Sequence, residues 1–214
     1  MNLLEERISE EIKQREEEIA VIKRMLSHTP APQRDILRKY TIPAFYSLWE
    51  GYVKSSFKIY IEEINSLKLR AHELELQLFA YAIDKKYLKN LNNLEDFQQR
   101  QECIERVYDE VLQNSRINLP TDEVSTKSNA NLKIVNKILL RLNLEKLPEE
   151  KFEKRLDEFL KFRNRISHGD MSISITQDHI EKFSLLVIEL MGEVLIQISE
   201  GYNKETFRRS TVST

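Results

Sequence analysis

One run of residues limits the possible fold more than any other. Between Asp35 and Ser66, the residues Ile42, Phe45, Leu48, Trp49, Tyr52, Val53, Phe57, Tyr60 and Ile64 recur at helical spacing. Side chains three and four apart share one face of an α-helix, so these form a single broad, aromatic-rich stripe. A stripe that wide must be covered by several neighbours, which makes this segment the central core helix of a bundle. Pro43 falls inside the pattern and predicts a kink there or a restart at Thr41.

The rest of the chain supplies the covering helices. Leu4, Ile8, Ile12, Ile19, Ile22 and Leu26 mark an amphipathic N-terminal helix, broken at His28-Thr-Pro-Ala-Pro. Residues 67–89 read as a less regular helical segment. Residues 94–113 read as a helix with Phe97, Ile104, Val107, Val111 and Leu112 facing in. NSRINLPTDEVSTKS, residues 114–128, is the longest polar connection, and loops of that length are usually functional or mobile. A short helix follows from Asn131 to Leu142. Pro148 then opens a helix with Phe152, Leu156, Phe159, Leu160 and Ile166 on its apolar side. Gly169 suits the left-handed position that ends it. After SISIT, Thr176 caps a last long helix to about residue 201, with Ile180, Phe183, Val187, Leu190, Val194 and Ile198 inward. The expectation is an all-α fold: an amphipathic helix over 1–30, one helical bundle over 31–203, and a frayed tail over 204–214. Only 4 Gly and 5 Pro argue against a turn-rich all-β alternative.

Charge and motif content exclude several functions. With 41% hydrophobic and 32% charged residues the chain reads as globular, not disordered. A net charge of −2 gives no global attraction for nucleic acid, although a local basic patch remains possible. The lone cysteine, Cys103, excludes an intramolecular disulfide and fits a cytoplasmic setting. MNLLEERISEE lacks the order of a signal peptide. Glu189 and Glu193 interrupt the most apolar run, so no membrane segment is expected. There is no phosphate-binding Gly loop, CxxC pair or HExxH. Neither a cofactor nor a metal is expected.

LDEFLKFRNRISHGD, residues 156–170, concentrates donors at a helix end. Asn164 and His168 are four apart and lie within about 40° of each other. Arg163 is five from His168, about 140° around the helix. One helix therefore cannot aim both at one point, but two copies facing each other across a two-fold axis could, which favours a homodimer. The chemistry that suits such a cleft is cleavage of an RNA phosphodiester without a metal. A histidine can take the 2′-hydroxyl proton or protonate the departing 5′-oxygen. A guanidinium can grip the phosphate and offset growing charge. Asn164 can hold the phosphate or fix the ring. The negative end of the helix dipole should favour the protonated imidazole. A solvated basic face explains the same residues without chemistry. Arg165 reads as a surface residue paired with Glu158 or Asp170.

FRNRISHG resembles the signature of the HEPN superfamily (higher eukaryote and prokaryote nucleotide-binding), with Arg163, Asn164 and His168 at the arginine, polar and histidine positions. YSLWEGYVKSSFKIYI, residues 46–61, resembles the second helix of the bacterial MAE-like subgroup, and NLKIVNKILLRLNL, residues 131–144, is similar in kind and position. The resemblance spans roughly residues 35–200. It implies a dimerising helical bundle with a composite cleft, acting as a metal-independent endoribonuclease, toxin or phage-defence effector, with an antitoxin or neighbour-encoded defence protein as a possible partner. Some lineages keep the fold as a binding module only.

Other residues have simpler readings. Trp49 reads as a core packer and Glu50 as ion-paired, although Glu50 might orient a motif residue. His28, His72 and His179 share no ligand spacing and read as surface or capping residues. Cys103 reads as a small buried hydrophobe. Lys127, Lys133, Lys137 and Arg141 could form a basic strip. Tyr202, Lys204, Arg208 and Arg209 could touch RNA if the tail lies near the cleft. Two functions follow: a homodimeric HEPN ribonuclease, or a non-catalytic helical module binding RNA, nucleotide or a partner through a seam on the N-terminal helix.

Overall fold

The computed structural model describes residues 2–84, 96–113, 115–122, 124–126, 128–170 and 172–209, with Glu110 as helix backbone only. Among them run seven helices: α1 (Leu3–His28), α2 (Ala31–Ser66), α3 (Leu76–Ile83), α4 (Phe97–Leu112), α5 (Leu132–Arg141), α6 (Glu149–Ser167) and α7 (Gln177–Asn203). The all-α expectation holds.

α2 is the spine. Trp49, Tyr52, Val53, Phe57 and Tyr60 are fully buried on it, and it packs against α1, α6 and α7. α5 lies on α6, and α3 on α5. The helix begins at Ala31 rather than near Asp35, because Pro30 sits outside as the N-cap and Pro32 falls in the first turn, where no amide donor is needed. There is no restart at Thr41: α2 runs on through Pro43. Thr41 and Ser47 each return a hydroxyl hydrogen bond to the carbonyl four residues back, at 2.9 and 3.1 Å.

α1 starts with a capping box between Asn2 and Glu5 and buries Leu4, Ile8, Ile19 and Leu26 against α2 and α7. Its apolar edge is thus turned into its own chain, and Leu4, Ile8 and Ile19 are not available as a seam for a partner.

Four local expectations need correction. The 67–89 segment is helical only over α3. Before it, residues 67–75 form turns, tied by isolated bridges from Arg70 to Arg116 and Leu74 to Arg208, and 85–89 lie outside the described residues. On α4 only the Cys103–Val107 edge reaches the core, while Phe97, Ile104, Val111 and Leu112 stand exposed with Tyr108. Periodicity marks a face as apolar; it does not say which edge the chain covers. The connection after α4 is pinned rather than loose in its described part: Ile117, Leu119 and Thr126 are buried, and the Asn65 amide clamps the Leu119 backbone by two bonds of 2.8 and 2.9 Å. The chain end is also held as far as Arg209. Phe207 is buried, its carbonyl accepts from the Glu75 amide at 2.8 Å, and the Arg209 amide donates to Glu73 at 2.9 Å. Residues 210–214 lie outside the described ones.

α6 starts at Glu149 with Pro148 as its N-cap, one residue later than the spacing suggests. Thr176 caps α7 as expected, in a reciprocal pair with His179.

If α1 belongs to the same cooperative unit as the bundle, Ile8→Ala should cost about 2–5 kcal/mol, as for other large-to-small changes in a core. Urea unfolding followed by far-UV dichroism checks this; a single transition at lower urea is the expected result.

Candidate functional site

The C-terminal tip of α6 takes its shape from the core stripe beneath it. Phe152, Leu156 and Phe159 are fully buried. The next position in that three- and four-residue rhythm is 163. Arg163 therefore emerges on the inward line of α6 and is half-buried. Its guanidinium lies over the ring of Tyr46 of α2, with the central carbon 3.8 Å from the ring centroid. Nε is shielded from solvent and has no hydrogen-bond partner among the described residues, and one Nη donates a long 3.4 Å bond to the Ser128 carbonyl.

Tyr46 is itself fixed. Its ring tilts against Phe159 at 6.5 Å, its oxygen accepts from the Ala130 amide at 2.9 Å, and the Glu50 carboxylate lies beside it. Burial pushes its phenol pKa up, against the lowering effect of the Ala130 amide. Burial would also push the Glu50 carboxyl up. The Thr126 hydroxyl and the Lys54 ammonium, the latter 3.0 Å away, outweigh it and hold the acid below its ordinary value. Trp49 is a core packer, as expected, and donates its indole N–H to the Ala130 carbonyl at 2.8 Å. Three residues of α2 thus fasten the stretch around Thr126 and Ala130. Between them Ser128 takes a left-handed φ of 56°, and its carbonyl is the one Arg163 reaches.

The other side of the tip faces water. Asn164 and His168 are both exposed. They share one turn, with the His168 amide donating to the Asn164 carbonyl at 2.9 Å. His168 is the C-cap residue, and Gly169 follows at φ 79°. The Gly169 amide bonds Ile166 and the Asp170 amide bonds Arg165, both at 3.0 Å, which is a complete Schellman ending. The glycine position read from the sequence is where the structure needs it. Arg165 pairs with Asp170 at 2.8 Å, one of the two partners expected for it.

The structure therefore brings Asn164 and His168 together and turns Arg163 away toward α2 within one chain. Tyr46, Thr126 and Ser128 were not singled out from the sequence. The available signal was Arg163 itself, a cation in register with three core residues, which calls for an aromatic or polar neighbour. Among the described residues no group of three or more His, Cys, Asp or Glu could hold a metal ion, and no helix is long and apolar enough to cross a membrane. Lys133, Lys137 and Arg141 lie on the exposed side of α5; Lys127 is outside the described residues. Lys204 and Arg208 pair with Glu200, Glu205 and Glu73. They sit beyond the far end of α7, a helix about 40 Å long, and so lie away from the α6 tip.

A family model for MAE_28990-like HEPN matches residues 4–207, a longer stretch than the residues 35–200 over which the resemblance was traced. No curated protein and no solved structure matches the chain.

The tip has an acid-sensitive brace. The Ser172 side chain foremost, then Arg165 and the Ser172 amide, lower the Asp170 carboxyl to about 2. A depressed acid contributes above its ordinary value near 4 and loses that contribution as pH falls toward its folded value. Carbon-detected NMR titration should place the Asp170 midpoint near 2. The protection of the Ser172 amide, its exchange rate set against the intrinsic rate at each pH, should fall between about pH 4 and 2 and remain constant across neutral pH.

Proposed function

Since the chain belongs to the MAE_28990-like HEPN family, whose HEPN domains are often ribonucleases and commonly pair as dimers, we propose that it is a metal-independent endoribonuclease working at a cleft between two copies. The α6 tip carries this reading: Asn164 and His168 are exposed on a rigidly terminated helix end, and a half-buried Arg163 stands one residue away.

In the reaction the 2′-oxygen of a ribose attacks the adjacent phosphorus and the bond to the 5′-oxygen breaks. The products are a 2′,3′-cyclic phosphate and a free 5′-hydroxyl. One proton leaves the 2′-hydroxyl and one arrives on the 5′-oxygen. His168 of each copy can serve one of these transfers. Arg163 neutralises charge on the non-bridging oxygens, and Asn164 holds the phosphate or the ring. The paired tips supply what one tip lacks, because Arg163 and His168 diverge within a chain. A role as a toxin or phage-defence effector, held in check by an antitoxin or a neighbour-encoded protein, fits this activity, as does a cytoplasmic location.

A second reading has one observation in its favour. Arg163 is engaged by Tyr46 and Ser128 rather than standing in solvent, as a core-edge residue of a non-catalytic binding module would be.

Incubation of a mixed RNA pool in EDTA separates the two. The unaltered protein should cleave with cyclic-phosphate ends, and His168→Ala should be slower by about 10²–10⁴. Arg163→Ala should lose about 10²–10³ and relieve any growth arrest on expression. Equal cleavage by all three, or cleavage that EDTA abolishes, contradicts the proposal.

A further inference from the structure

We propose that Tyr46 is a positioning residue for Arg163, its ring face holding the guanidinium in one plane so that the N–H edge is presented to an RNA phosphate at the α6 tip. This deepens the functional reading above and rests on it.

Geometry makes the assignment. A guanidinium has two kinds of surface, a flat face that stacks and an edge of N–H donors that grips oxyanions. At 3.8 Å, Tyr46 occupies the face and leaves the edge free apart from one long bond to Ser128. Nε is buried and has no partner among the described residues, so within them the side chain is anchored by stacking and not by an ion pair. The single long bond to Ser128 is weak enough for a charged phosphate oxygen to replace or join. Among the described residues no carboxylate is bonded to Arg163; the acid in the network, Glu50, is engaged by Thr126 and Lys54. An arginine held by an aromatic face keeps its charge unpaired, which a phosphate ligand requires.

The platform is rigid in its own right. The Tyr46 oxygen is held by the Ala130 amide, and its ring rests on Phe159, the residue one turn before Arg163 on α6. An unstacked arginine at a helix tip would sample many rotamers and lose that freedom on binding. A fixed plane removes that loss and sets the direction in which two donors point.

The test is a double-substitution cycle on cleavage and on binding of a 2′-O-methyl RNA that cannot be cut. Tyr46→Leu should lower the cleavage rate at saturating RNA about tenfold, and Tyr46→Phe, which keeps the face, should restore it to within about threefold. In an Arg163→Ala background, Tyr46→Leu should cost nothing further in either assay. In the unaltered chain, ring current from Tyr46 should move the Arg163 Hε proton upfield in NMR, a readout that needs no variant to fold. An Hε proton at its ordinary position, or a Tyr46→Leu loss that is undiminished without Arg163, overturns the inference and leaves the ribonuclease reading intact. Binding without cleavage, with the coupling preserved, removes the ribonuclease reading and supports the positioning role. A chain that neither binds nor cleaves RNA overturns both.

Discussion

Two buried donors on α2 organise the molecule. The Trp49 indole and the Tyr52 hydroxyl sit on a fully buried face, where an unmade hydrogen bond costs about 1–3 kcal/mol. Each finds a backbone carbonyl: Ala130 for Trp49 at 2.8 Å, Met191 for Tyr52 at 2.9 Å. Apolar burial alone would let α7 and the stretch before α5 slide over α2. The two directional bonds fix where each must lie. Trp49 thereby brings Ser128 and Ala130 beside the tip of α6, and the candidate site is built where those pieces meet.

The site has two halves with different physics. Its inner half belongs to the core, with Arg163 laid on Tyr46 and Tyr46 braced by Phe159 and Ala130. Its outer half is helix terminus, with Asn164 and His168 in water and Gly169 closing the ladder in a left-handed turn. Positional accuracy comes from the first half and access from the second. A loop could offer the same residues but would not hold them in a fixed relation.

Much of this was legible in the chain. The aromatic rhythm of 42–64 gave the spine, and Gly169 and Thr176 gave the end of one helix and the start of another. These are local signals, and local physics decides them. What escaped was set by contacts distant in sequence. Nothing near Phe97 or Ile104 announces that the apolar edge of α4 turned to the core runs through Cys103 and Val107. Nothing near Phe207 announces that the Glu75 amide will hold it. At the site, Arg163 and His168 could be read from one helix, while Tyr46 lies more than a hundred residues earlier. It becomes part of the constellation only once α2 and α6 have packed.

Arg163 occupies the position that would complete an apolar seam made by Phe152, Leu156 and Phe159. A leucine or methionine there would lie on the Tyr46 ring with no desolvated nitrogen, and the fold would be more robust for it. Selection for durability alone would drift toward that residue. An arginine in this place forgoes that gain and sets a cation where the core meets the solvent at the helix tip.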